Sequence, residues 1–367
     1  MAAIALAAIV SVVRHGAGGK ETAPPAATSA STVATTVVET APETLPSLAP
    51  LPAPLREEGG VLWWSAEDCR AGRLELSSGA VEEFPGEHCR LWPSPDGSRA
   101  VAVATRRSDA LAGRGLVLLP GGEVLEHTPG FLGSEVAWAP DGAAFAVCIG
   151  TRDGTVVDFV QPGFASIPIA DACFPGWHPY GSLALVPSGP AQIVVEGKTL
   201  LGRKDVARLL PTIADGARRA VSAVFGDARG LAVALVVVSD KRTLPLSAAV
   251  AVMSPSGETV FTAFLGSGVL PTAIALAPDG RALSYFDAGT GEAHVLLLPD
   301  GRVIGTDDAR WLAWSPDGLY LAAATARGIV VTRWPSGEEV AVVPVRADDV
   351  AWTRAPAHWD LTFEQAP

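Results

Sequence analysis

Polar turn residues interrupt this chain every few dozen positions, and each interruption is followed by a short apolar run. The runs are VAVAT from Val101, FAVCI from Phe145, LALV from Leu183, LSYF from Leu283 and LYLAAAT from Leu319. They are brief, rich in Val and Ala, and bounded by Pro, Asp and Gly. That is the pattern of short strands joined by tight turns. A helical array would carry its apolar residues at 3.6-residue spacing over longer segments.

The interruptions are copies of one phrase. AWAPDG at Ala137–Gly142 and AWSPDG at Ala313–Gly318 are the clearest. LWPSPDG at Leu91–Gly97, GWHPYG at Gly176–Gly181 and ALAPDG at Ala275–Gly280 are looser. The anchor prolines Pro95, Pro140, Pro179, Pro278 and Pro316 are 45, 39, 99 and 38 residues apart. The long interval holds a degenerate copy, AVFGDARGLAVAL from Ala223, with Phe225 in place of Trp. A last copy, DDVAWTRAP, puts Trp352 38 residues after Trp314. A repeat of about 40–45 residues with several short strands per unit is the signature of a β-propeller.

Seven phrase starts, at Trp92, Trp138, Trp177, Phe225, Ala275, Trp314 and Trp352, predict an all-β propeller of seven blades, with six as the alternative. Too little chain follows Trp352 to finish a blade. Val61–Ser65 and Arg73–Ser77 are therefore expected to complete it, so that both chain ends share one sheet and the open seam disappears.

The phrase has a physical meaning. Pro presets φ for the second position of a turn, Asp accepts hydrogen bonds from the turn backbone, and Gly takes a conformation that strains other residues. Asp96, Asp141, Asp279 and Asp317 therefore read as turn caps rather than as metal ligands. The Trp lies on the strand before the turn, where its large apolar area can wedge between neighbouring blades. SPDGSRAVAVA, APDGAAFAVC and SPDGLYLAAAT resemble the repeats of the TolB-like propellers, also called PD40 or WD40-like repeats. The resemblance spans roughly Gly59 to Pro367 and implies a fold that mostly binds proteins or peptides.

Ahead of the repeats the composition changes. Residues 1–20 contain an apolar run from Ala2 to Val13, broken only by Ser11. It suits a signal-peptide core or a truncated membrane anchor, and falls short of the ~20 residues needed to span a bilayer. Residues 21–58 are rich in Ala, Thr, Ser and Pro and read as a flexible linker. Residues 59–367 form the propeller. Together these suggest a folded domain tethered outside a membrane.

Four cysteines fall in two pairs at similar places in their repeats: Cys69 with Cys89, and Cys148 with Cys173. Two disulfides are expected, and with them an oxidising, extracytoplasmic compartment. No C-x-x-C or paired His accompanies them, so neither a metal nor another cofactor is expected. The net charge of −12 disfavours nucleic acid and anionic lipid as partners. The chain has 23 Arg against four Lys and no Asn, a skew that suggests a GC-rich bacterial genome.

No nucleophile elbow, zinc-protease motif, phosphate-binding loop or dinucleotide fingerprint is present. Two features remain as candidate contact surfaces. One is LLGRKDVARLLPTIADGARRAVSAVF from Leu200, which breaks the repeat with a helix-forming stretch and the basic residues Arg203, Lys204 and Arg208. The other is the acidic pairs Asp307-Asp308 and Asp348-Asp349, which come just before strands expected to line one mouth of the channel. The expected function is a non-enzymatic binding, scaffold or sensor domain that holds a protein or peptide partner, as a monomer. The alternative is a propeller enzyme (a lyase, hydrolase or dehydrogenase) with its site at the channel mouth.

Overall fold

The computed structural model describes residues 50–354 apart from 85–86, 104–112, 119–123, 151–154, 162–166, 171, 178–182, 188–192, 196–197, 202–216, 228–229, 240–246, 255–257, 270, 299 and 307. Six antiparallel sheets make up the described part. Sheet I holds Asp349–Thr353, Val61–Ser65, Ala71–Glu75 and Val81–Glu83, in that order. Sheet II runs through seven strands: Arg90–Pro93, Ala100–Val103, Gly113–Leu118, Val124–Trp138, Phe145–Gly150, Thr155–Val160 and Ile167–Ala170. Sheets III to VI have four strands each. Their first and last strands are Ala172–Trp177 and Lys198–Leu201, Ala217–Asp227 and Thr259–Ser267, Pro271–Leu276 and Val303–Gly305, and Trp311–Trp314 and Glu338–Val343.

The strand pairing expected between the chain ends is present. Val61 lies opposite Thr353, and Ser65 opposite Asp349. The next strand is Ala71–Glu75, two residues earlier than the sequence suggested, with Val61 opposite Glu75. No turn joins the strand 349–353 to the strand 61–65, so the backbone ladder and its flanking bonds tie them. The Trp63 indole donates to Thr353 Oγ1 at 3.0 Å, and the Asp348 amide donates to the Ser65 carbonyl at 2.8 Å.

In sheet II the 15-residue strand Val124–Trp138 serves two neighbours. Its first half pairs with Gly113–Leu118, and its second half with Phe145–Gly150. The register shifts between Phe131 and Val136, near where the strand changes partners.

The core lies between sheets. One cluster packs Leu62, Trp64 and Trp352 of sheet I against Tyr320, Ala322 and Val331 of sheet VI. Others join sheets I and II around Trp63 and Leu91, and sheets V and VI around Val295 and Trp314. The first strands lie beside one another where 311–314 meets 349–353 and 349–353 meets 90–93. Stacked faces and neighbouring first strands are the plan of a propeller, with each layer burying its own apolar surface.

The linker expected over 21–58 does not stay irregular to its end. Ala53–Glu58 forms a single helical turn and a half, with Pro52 before it and Gly59 after it at φ 68°. Leu55 is fully buried and Leu51 nearly so, in the cluster between sheets I and VI. Two leucines in a Pro-rich stretch are enough to dock it, because their burial offsets the ordering of a short segment. Among the described residues no helix is long and apolar enough to cross a membrane. The apolar run 2–13 lies outside the described residues.

Candidate functional site

The first strand of each sheet has two ends, and they are built differently. Its far end carries the repeated phrase. Asp141 accepts the Ala143 amide at 3.0 Å, Asp279 that of Arg281 at 2.8 Å, and Asp317 that of Leu319 at 2.8 Å. Asp96 accepts from the Ser94 and Ser98 hydroxyls and from the Ser98 amide. Burial alone would raise its pKa, but these donors and nearby Arg99 hold it below the ordinary carboxylate value. The turn glycines Gly97, Gly142 and Gly318 have φ of 68°, 69° and 78°. Each also abuts the preceding unit: a Cβ on Gly97 would lie 2.4 Å from the Arg354 carbonyl, one on Gly142 3.1 Å from the Asp96 carboxylate, and one on Gly318 3.1 Å from Pro278.

The phrase tryptophans tie each unit to the one before. The Trp177 indole donates to the Ala137 carbonyl at 2.9 Å, and that of Trp138 to the Trp92 carbonyl at 2.7 Å. Trp314 reaches the same place through a hydroxyl. Its indole donates to Ser284 Oγ at 3.1 Å, and Ser284 in turn donates to the Ala275 carbonyl at 3.4 Å.

Trp92 is out of step with this set. Counting back four residues from the turn glycine gives Trp138, Trp177 and Trp314, but Pro93 in the first copy. The ladder agrees: Pro93 pairs with Ala100, as Trp314 pairs with Leu321. A one-residue offset turns a strand side chain to the opposite face. Trp92 therefore points away from the preceding sheet, on the same side as Arg90, and packs on the cluster of Val101, Trp138 and Phe145 shared with the following unit.

That offset builds the candidate site at the starting end of the strands. Arg90, Trp311 and Asp349 are the first residues of three first strands, in sheets II, VI and I. The Arg90 guanidinium lies 4.8 Å from the Trp92 ring centroid and 5.0 Å from that of Trp311. Its Nε is 3.6 Å from Asp349 Oδ2. Trp311 packs on Phe286 of sheet V with centroids 5.4 Å apart. All three sheets thus converge on one arginine held between two indoles, a geometry in which cation–π attraction contributes about 0.5–2 kcal/mol. Arg90, Trp92, Trp311 and Asp349 are each partly exposed.

The residues singled out from sequence fall as follows. Asp349 belongs to this cluster. Asp348 does not present a solvated charge: it is 5% exposed and accepts a hydrogen bond from Arg310. Asp308 is exposed with φ 61°. Asp307 and the basic Arg203, Lys204 and Arg208 lie outside the described residues. Cys69 and Cys89 form a disulfide, as expected. Cys148 is also disulfide-bonded, while the side chain of its expected partner Cys173 lies outside those described. Arg90, Trp92 and Trp311 were missed in the sequence. The signal for Arg90 and Trp92 was the extra residue between Trp92 and its turn.

Two further features lie at the turn end. A pocket of about 390 Å³ between sheets II and III is lined by Pro140, Asp141, Phe159, Gln161 and Trp177. Its carboxylate, Asp141, already caps its own turn. Glu58, closing the docked helix, faces Asp317. Burial and the Asp317 carboxyl push its pKa up to about 7. Among the described residues no three His, Cys, Asp or Glu side chains converge to hold a metal ion.

Solved structures share the architecture. An oligogalacturonate lyase in complex with manganese aligns with a TM-score of 0.50 at 14% identity, over 74% of this chain and 84% of that one. TolB from Acinetobacter baumannii aligns at 0.45 and 9% identity, over 80% and 67%. A chain of the nidogen/laminin complex aligns at 0.42 and 14%, over 82% and 100%. No protein-family model and no curated protein matches the chain. Likeness at such identities concerns the fold alone. The repeat phrase together with the stacked antiparallel sheets defines a β-propeller fold.

Proposed function

We propose that this chain is an extracytoplasmic binding domain that holds a protein or peptide partner at the starting end of its first strands. The observation that carries this reading is Arg90 clamped between Trp92 and Trp311 and paired with Asp349. Tryptophan and arginine dominate the binding energy of protein interfaces, and here they stand partly exposed on rigid strands from several sheets. Two acids at this end, Asp348 and Asp349, are engaged by Arg310 and Arg90. They serve better to fix the arginines than to move protons. The disulfide-bonded cysteines favour an oxidising compartment. The apolar run 2–13 and the linker that ends in the docked helix suit a membrane tether. We take sheet II as two blades sharing one continuous strand, which gives seven blades with sheet I closing the ring.

Random peptides selected for binding to the full chain test this reading. Hydrogen-exchange mapping should show bound peptide slowing exchange around Arg90, Trp311 and Asp349. Exchange at the turns of Asp141 and Asp279 should stay unchanged. Protection confined to the turns would overturn the proposal.

A further inference from the structure

The outermost strand of each sheet leaves one edge without a neighbouring strand, and most of these edges are guarded. Val81–Glu83 and Val303–Gly305 are only three residues long, and the first carries two glutamates. Ile167–Ala170 contains Pro168, and Lys198–Leu201 contains Lys198. Glu338–Val343 opens with two glutamates, which pair with Arg333 and Arg327. Shortness, charge and proline are the usual ways to stop one sheet edge from adding another.

Thr259–Ser267 has none of these, and its ladder is irregular only at Val260 and Leu265. It is nine residues long, TVFTAFLGS, with no charge and no proline. Among the described residues no strand lies on its outer side. Phe261, Ala263 and Leu265 pack into the cluster between sheets IV and V. Val260, Thr262 and Phe264 alternate with them and face outward, Val260 being 62% and Phe264 56% exposed. The register irregularities fall at the two ends, leaving 261–264 in regular pairing with 249–252.

This edge is complementary to itself. Laid antiparallel on a second copy about Thr262, it puts Thr262 opposite Thr262, and Val260 opposite Phe264 in both directions. The exposed stripe thereby becomes two aromatic–β-branched pairs flanking a threonine pair, combinations that stabilise neighbouring strands. A two-fold contact needs one self-matching patch, and one strand supplies it. We infer that Thr259–Ser267 is a dimerisation edge through which two copies join sheet IV to sheet IV. This replaces the monomer expected from the sequence. It stands apart from the binding reading, because it lies on a different sheet from Arg90 and Trp311.

The test is a cysteine placed at the two-fold axis. Opposed Cα atoms in an antiparallel ladder are about 4.5–5.5 Å apart, within disulfide reach. Full-length Thr262→Cys should therefore link to its own copy under mild oxidation, whereas Val303→Cys, on a guarded edge, should not. In sedimentation, Phe264→Lys should raise the dimer dissociation constant about tenfold or more, since it sets a charge against an apolar partner. Every variant keeps the same N-terminus, so association through that segment is common to all. Equal cross-linking of the two cysteine variants, or sedimentation unchanged by Phe264→Lys, would overturn the inference.

Discussion

The two ends of the first strands make a natural comparison. At the turn end the same contacts recur from unit to unit: an Asp caps its turn, a Gly abuts the preceding unit, and an indole reaches back to a backbone carbonyl directly or through Ser284. At the starting end one backbone bond recurs, from Cys89 to Val103, Arg310 to Ala324 and Asp348 to Ser65, but among the described residues the side-chain contacts do not repeat. Arg90, Trp311 and Asp349 occupy equivalent places on three strands and are three different residues, assembled into one cluster. What recurs in an array serves the joints between units. What occurs once is where a partner can be distinguished.

The sharpest way to break this comparison is at a turn glycine. Gly97→Ala places a Cβ 2.4 Å from the Arg354 carbonyl at a φ of +68°. Backbone must shift as well as strain, so the expected loss is about 3 kcal/mol or more in urea unfolding. A loss within the error of the measurement would mean that the turns are not joints at all. Trp138→Phe keeps most of the apolar area and removes the indole donor to the Trp92 carbonyl. It should cost about 1–2 kcal/mol by the same measurement, mainly through the unsatisfied carbonyl.

Glu58 sharpens the comparison through pH. Its folded pKa of about 7 lies above the ordinary 4.5, so the folded chain binds the extra proton. Stability from this group is present at low pH and falls as pH rises from about 4.5 through 7. Thermal midpoints of wild type should therefore drop between pH 5 and pH 8, and Glu58→Gln should flatten that drop. An unchanged slope in the variant would show that the docked helix does not feel Asp317.

The fold was legible because its joints repeat. Trp138, Trp314 and the Asp–Gly turns announce strand ends directly, and the pairing of Val61–Ser65 with the last strand followed from counting what remained after Trp352. The site was only half legible. Asp348 and Asp349 could be placed before a first strand, but nothing local to them shows that Arg310 buries one and Arg90 holds the other. Those partners are 38 and 259 residues away in sequence. Trp92 misled for a physical reason: one extra residue before its turn moved it to the other face, out of the repeat and into the cluster.

The central claim is that the starting end binds while the turn end supports. A selected peptide titrated against wild type, Arg90→Gln and Asp279→Ala tests it directly. Arg90→Gln removes the cation held between two indoles, and should weaken binding about tenfold or more. Asp279→Ala removes an exposed turn cap, and should cost about 1 kcal/mol of stability while leaving affinity unchanged. Affinity that follows Asp279 and ignores Arg90 would contradict the account.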